Sequence, residues 1–402
     1  MIAALLAQTI AITGGTVFPV SGPKIERATV LIQGDRIAAV GAGVPIPADA
    51  RRIDATGSWV TPGLIDGAGQ MGLSEIDLAP ETNDAAVRND TVAASFNVAE
   101  GINPASTLIA ITRIAGVTTT LAVPQWGLIR GQAVLIDLHG PTLDAMLVKS
   151  PAAMVAELSE HTKGAGGGSR AGAAERLRRV FDDALEYSRR KGDWARAQMH
   201  PLAASAGDLA ALEPVLRGTL PLIVVANRRS DIETALRIGR EYRLRLVLAG
   251  AADGWRIAPE LARAGVPVLV RPLDNIPTYD APGSRLENAA LLAKGGVKVA
   301  LLETDTHNAR DLRQEAGNAV AYGMSWDDAL RAVTLSPAEI FGVAARYGSL
   351  ETGKVANVVV WSGDPFELST TVEHVLIRGT EVPLRSRQTE LLEKYRKVPL
   401  KY

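Results

Sequence analysis

The chain of 402 residues has no cysteine. Disulfides, thiolate metal sites and a cysteine nucleophile are therefore excluded, and any metal must be held by histidine, carboxylate or a modified lysine. Histidine is itself scarce: His139, His161, His200, His307 and His374 are the full set. An excess of one charge is missing too. Lysine and arginine number 43 against 44 acidic residues, a net charge of −1, which argues against a dedicated nucleic-acid binder. No apolar run approaches the roughly 18 residues that a membrane span needs. With 47% hydrophobic residues and almost no net charge, the chain is not disordered by composition. Its length fits one large barrel or two or three ordinary domains.

The first residues, Met1–Ala7, are apolar but carry no basic flank, since the first basic residue is Lys24. They read equally as the remnant of an export signal (residues 1–8) or as a lead-in to a first strand. Exported and cytoplasmic locations both stay open.

Residues 9–60 are rich in short apolar runs and tight turns. The pair Gly34-Asp35 between two such runs marks a hairpin. This region is too small to hold a core of its own. The stretches 348–365 and 371–382 have the same texture and should supply the missing strands. The span 344–385 is therefore the C-terminal part of a small β-sandwich built from both termini, and 386–402 a charged helical tail.

The middle, 61–343, alternates apolar runs with helical patterns. Eight candidate strands are Leu64–Asp66, Thr118–Val123, Ala133–Leu138, Ala145–Val148, Leu222–Ala226, Arg245–Ala249, Pro267–Val270 and Val297–Leu302. Residues 173–190 carry a 3.6-residue apolar stripe. Ser336-Pro337-Ala338-Glu339 reads as a capping box opening a short helix that stops at Gly342. The glycine-rich run 164–169 should be a mobile loop. Alternating strands and helices predict a parallel sheet, and eight strands over this length fit an α/β fold of the (β/α)8 TIM-like barrel type.

Several local sequences then resemble the amidohydrolase superfamily, in its imidazolonepropionase-like branch. Val60-Thr61-Pro62-Gly63-Leu64-Ile65-Asp66 is similar to the entry into barrel strand 1. Arg113-Ile114-Ala115-Gly116-Val117-Thr118-Thr119 is similar to the lead into strand 2. Ser336-Pro337-Ala338 followed by residues 348–357 resembles the C-terminal signature. The resemblance implies hydrolysis of C–N bonds in cyclic amides and related small molecules, with zinc as cofactor.

The site departs from that pattern. The resemblance implies Asp-x-His-x-His at the end of strand 1, where this chain has Asp66-Gly67-Ala68-Gly69-Gln70. It implies histidines near the ends of strands 5 and 6, where residues 224–231 and 247–251 have none. Lys149 is a weak match to the metal-bridging residue of strand 4. Only Asp305, at the strand 8 position, matches an expected ligand. No metal residue is assigned and no cofactor is expected.

Asp305 and His307, two apart, are the candidate catalytic pair of a metal-free mechanism if the strand continues through them. Gln70, Arg130, Gln132, Asn227, Arg228 and Glu303 are candidate ligand contacts, with Arg229 and Arg310 as further anion binders. The other four histidines read as structural. The expected function is a degenerate amidohydrolase-like protein that binds a small molecule or acts as a partner subunit. The alternative is an active C–N hydrolase with a non-canonical metal site or the Asp305/His307 mechanism. The partners expected are a small-molecule ligand, with a homodimer or an active paralogue as protein partner.

Overall fold

The computed structural model describes residues 9–396 apart from Asp77, Asn89 and Asp305. The apolar start 1–8, read as a lead-in or signal remnant, and the tail end 397–402 lie outside the described residues.

Five strands come first: β1 (Thr9–Val17), β2 (Ile25–Gln33), β3 (Arg36–Gly41), β4 (Arg51–Asp54) and β5 (Trp59–Pro62). The expected hairpin joins β2 to β3, with Gln33 paired to Arg36 across Gly34-Asp35. Eight barrel strands follow: β6 (Leu64–Gly69), β7 (Val117–Ala122), β8 (Ile129–Asp137), β9 (Leu147–Glu157), β10 (Leu222–Ala226), β11 (Leu246–Gly250), β12 (Val268–Val270) and β13 (Val299–Leu301). The last three are β14 (Val358–Trp361), β15 (Val372–Ile377) and β16 (Thr380–Glu381).

The terminal strands join in one sheet of order β16-β15-β14-β5-β1-β2-β3, with β4 beside β1. β14 pairs antiparallel with β5, so the two ends of the chain meet at that ladder. Its inward side buries Ile10, Ile12, Val30, Ile32, Val60, Val358 and Val360 in a shared core. Period-2 alternation of apolar residues places them all on that side.

The barrel strands run in the order β6 to β13 around a second sheet. Alternate residues of these strands, among them Ile65, Leu121, Leu135, Val155, Ile223, Val247, Leu269 and Ala300, fill the interior. The intervening residues pack outward under the helices. The seam between β6 and β13 is close. A Cβ added at Gly67 would lie 2.8 Å from the Leu301 carbonyl oxygen.

Four sequence expectations need correction. The sheet is not wholly parallel: β8 runs antiparallel to both β7 and β9. The connection 123–128 is too short for a parallel crossover, which takes a dozen or more residues. The fourth strand does not lie at 145–148. Residues Leu143–Met146 form a helical turn, and β9 starts at Leu147. The glycine-rich run is not wholly a loop, because Glu160–Gly166 is a 3-10 helix capped by Ser159. The helix expected to open at Ser336 spans Leu335–Ile340, has no side-chain cap, and buries Ser336. The helix read at 173–190 is present as Arg170–Arg189. The charged tail forms the helix Arg387–Arg396, which buries none of its residues.

Candidate active site

Barrel enzymes place their chemistry at the C-terminal ends of the strands. Ala68 lies near the end of β6 and Gln70 just past it, both buried. The Gln70 carbonyl accepts the N–H groups of Leu73 and Ser74 at 2.9 and 3.2 Å, so the chain turns sharply off the strand. Asn227 and Arg228 stand past the end of β10, and Gly250 and Ala251 at the end of β11. None of these six residues offers an imidazole or a carboxylate.

Asp66 faces the barrel seam. Its carboxylate accepts the N–H of Glu303 at 3.0 Å, the hydroxyl of Thr120 at 3.1 Å and the N–H of Ala68 at 3.4 Å. Burial, only partly offset by those three donors, pushes its carboxyl up to about 7.

Of the candidate catalytic pair, only His307 is described. β13 ends at Leu301, and His307 is an exposed residue in the 3-10 helix Thr306–Asp311. Asp305 lies outside the described residues. Glu303 is buried and ion-paired with Arg271 at 3.0 Å. The same guanidinium donates to Glu315 at 3.2 Å, whose carboxyl burial pushes up. Glu303, a candidate ligand contact, thus sits in a buried charge cluster with Arg271 and Glu315. Lys149 sits near the start of β9, at the opposite end of the barrel, and donates to the Phe341 carbonyl at 2.8 Å. Arg310 is exposed, with its Nε 3.7 Å from Asp311.

Asn227 and Arg228 are held by neighbours. Gly250 adopts φ +83°, and a Cβ there would lie 2.3 Å from Asn227 Oδ1, so a glycine lets that amide close over the strand end. Against burial, Arg170, the Glu160 N–H and the Asn227 amide together hold the Asp280 carboxyl below its ordinary range. Asp280 also accepts from Arg170 at 2.7 Å, and Arg170 reaches Asp231 and Glu160. The Arg228 guanidinium lies 6.0 Å from the centre of the Tyr279 ring. Arg229 pairs with Glu233 at 2.8 Å, along the helix Arg229–Glu241.

The polar constellation at the mouth is elsewhere. Glu157 is the last residue of β9 and follows Ala153 and Val155 on the inward register. It is buried and ion-paired with Arg130 of β8. It also accepts from Ser159, and Nδ1 of His161 lies 3.2 Å from its Oε1. Burial would raise this carboxyl, but Arg130, Ser159 and His161 together hold it below the ordinary glutamate range. Arg130, Glu157 and His161 line a cavity of about 360 Å³ with Arg88, Asp90, Thr91, Gln125 and Trp126. Arg88 stacks over Trp126 at 5.5 Å. Gln132 donates to the Ala94 carbonyl at 3.0 Å, tying β8 to the segment 92–97, which bridges in parallel along the start of the strand.

Of the residues singled out from sequence, Arg130 thus reaches this cavity, and Gln132 holds the segment beside β8 whose earlier residues line it. Sequence reasoning misses Glu157 and Ser159, and it reads His161 as structural. The signal lay in the run 151–158, an apolar stretch after Ser150-Pro151 that is the true end of the fourth strand. A carboxylate that fixes a histidine through one ring nitrogen leaves the other free for proton transfer.

Among the described residues, one group of His, Asp or Glu side chains brings three ligand atoms within 4.8 Å of one another: Asp183, Glu186 and His200. It lies on the helix Arg170–Arg189 and the segment after it, not at the mouth.

A barrel with a terminal sheet and a polar cavity at its mouth has the form of a barrel hydrolase. Comparison with known proteins makes the class specific. The model of the amidohydrolase family matches residues 252–382. The solved structure of an amidohydrolase from Thermotoga maritima MSB8 is 30% identical, covers 94% of this chain and 100% of its own, and superposes with a TM-score of 0.85. The chain belongs to the amidohydrolase family. It is also 25% identical over 386 residues to amidohydrolase tasK of Hapsidospora irregularis; the match takes in 87% of this chain but only 39% of that protein. Molinate hydrolase, 20% identical with a TM-score of 0.59 over 94% of this chain and 96% of its own, shares the fold. No helix among the described residues is long and apolar enough to cross a membrane.

Proposed function

We propose that this amidohydrolase-family protein binds a small molecule at its barrel mouth without the histidine-held metal of its relatives. The observation that carries this reading is Ala68 and Gln70 at the end of β6, where the family resemblance implies two histidines. One alanine and one neutral amide do not hold zinc, which needs about three imidazole or carboxylate ligands in a catalytic site. The ligand then occupies the cavity lined by Arg88, Trp126, Arg130 and His161. Metal analysis after EDTA dialysis tests the reading. The expected result is a folded chain with no stoichiometric metal at the mouth; one equivalent of EDTA-resistant zinc that persists in His200→Asn, where the flank group Asp183, Glu186 and His200 is broken, overturns it.

A second reading keeps catalysis without metal. Asp305 and His307 carried it in sequence terms, but the contact between Glu157 and His161 favours a general base there instead. With any substrate that is turned over, His161→Gln should then abolish turnover and His307→Gln should not. Normal turnover by His161→Gln removes this reading.

A further inference from the structure

Asp183 and Glu186 are three residues apart on the helix Arg170–Arg189, so their side chains lie on neighbouring positions of one face. The chain returns past that face and sets His200 against it. His200 Nε2 lies 3.2 Å from Glu186 Oε2, and Nδ1 lies 2.9 Å from the Pro201 carbonyl oxygen.

That pair of distances constrains the ring. A carbonyl oxygen only accepts, so Nδ1 must carry a proton. Nε2 of a neutral ring therefore turns its lone pair toward a carboxylate. Two acceptors face each other unless a cation stands between them. The cation is either a second proton on the ring or a metal ion. A backbone carbonyl fixing Nδ1–H is also the usual way a metal-binding histidine is oriented. Asp183 is oriented too, since its Oδ2 accepts the Ala203 N–H at 2.6 Å. Glu186 uses its other oxygen for Arg190, at 2.9 Å. A cavity of about 600 Å³ opens beside Asp183 and His200, with room for waters to complete a coordination shell.

We propose that Asp183, Glu186 and His200 form a site for a divalent transition metal, zinc by preference. One imidazole and two carboxylates suit zinc, whereas calcium and magnesium favour all-oxygen shells. The site is remote from the barrel mouth and independent of the ligand reading above. Its effect reaches the mouth through the chain. The metal pins the segment 196–205 to the long helix, and that segment runs into the helix Ala206–Ala211. There Asp208 accepts the N–H and the hydroxyl of Ser95, each at 2.8 Å. Ser95 belongs to the segment beside the start of β8, next to Ala94, which holds Gln132. A metal on the flank therefore stiffens the segment 92–97, which continues from the cavity wall at Arg88, Asp90 and Thr91.

Zinc sulfate titrated into the untagged full chain by calorimetry, at neutral pH, tests the site. One saturable equivalent is expected, and both His200→Asn and Glu186→Gln should weaken it roughly tenfold or more. Hydrogen exchange on 198–204 should slow when zinc is added to the wild type and not in His200→Asn. The proposal is overturned if the wild type binds no zinc saturably, which leaves an imidazolium–carboxylate pair, or if both variants bind as the wild type does. Zinc that resists EDTA in His200→Asn sits elsewhere and counts against the mouth reading instead.

Discussion

The carboxylate of Asp66 accepts the backbone N–H of Glu303 at 3.0 Å, so a single buried side chain bridges the seam between the first and last barrel strands. The two strands approach too closely there for any side chain at Gly67. A second bond to Thr120 at 3.1 Å ties in the next strand.

Burial raises the Asp66 carboxyl from 3.8 to about 7, so between those values the folded chain holds a proton that the unfolded chain has released. The sign follows: Asp66 favours the fold at acid pH, and that contribution is lost as the pH rises through about 7. Asp66→Asn keeps an acceptor for Glu303 and carries no charge. Its stability, measured by urea unfolding, should fall less than that of the wild type between pH 5 and pH 8. Parallel pH curves for the two proteins would show that the carboxyl is ionised throughout.

Gly116, in the segment that leads into β7, adopts φ +90°, and a Cβ there would lie 2.2 Å from Cη2 of Trp361. Trp361 is fully buried and donates its indole N–H to Thr61 at 2.9 Å. Gly116→Ala must displace that ring and also strain the backbone. A loss of about 3 kcal/mol is expected in denaturant unfolding. A loss below about 1 kcal/mol would mean that the indole shifts freely.

Gly116 also shows what the sequence carried. Its motif was legible as a family segment, and the close approach of Trp361 is the reason a glycine stands there. The strands were legible because each is an apolar run bounded by turn residues, as in Leu222–Ala226. The direction of β8 was not recognised, although its short connection carried the signal. The candidate site was least legible. Its partners are paired by the fold rather than by spacing: Arg130 meets Glu157 across 27 residues, and Asp231 meets Arg170 across 61. Misplacing the fourth strand at 145–148 hid Glu157, because only a strand ending at 157 points that side chain into the mouth.

At the other end of the barrel, Asp137 is fully buried and gathers four donors. Thr119, Asn357, Tyr347 and Arg378 approach it at 2.8, 2.9, 3.0 and 2.6 Å. Arg378 also donates to the carbonyls of Ala145 and Leu147, so the cluster anchors the loop after β15 to the barrel. Asp137→Ala leaves those donors unpaired around a cationic side chain. A loss of about 3–5 kcal/mol is expected, read by denaturant unfolding. Arg378→Ala should cost less in the Asp137→Ala background than in the wild type, because there it loses only its bonds to the Ala145 and Leu147 carbonyls. Additive losses would show that the two act separately.

Glu157 offers a contrast between stability and ligand function. Glu157→Gln leaves the Arg130 guanidinium half-buried without its countercharge, and should cost about 3 kcal/mol at neutral pH. The wild-type carboxyl is held below the ordinary 4.5, so its stabilising effect is full above that value and is lost as the pH falls through the lower folded-state value. The stability gap between Glu157→Gln and the wild type should therefore narrow in acid. His161 behaves differently. Its side chain is 73% exposed, and His161→Gln should leave the thermal midpoint near that of the wild type. If the cavity beside Trp126 is where the small molecule binds, ligand protection in a fragment-based thermal shift screen should nevertheless drop in His161→Gln. Equal protection of the two proteins by every fragment that binds would remove His161 from the binding site and leave Glu157 with a purely structural role.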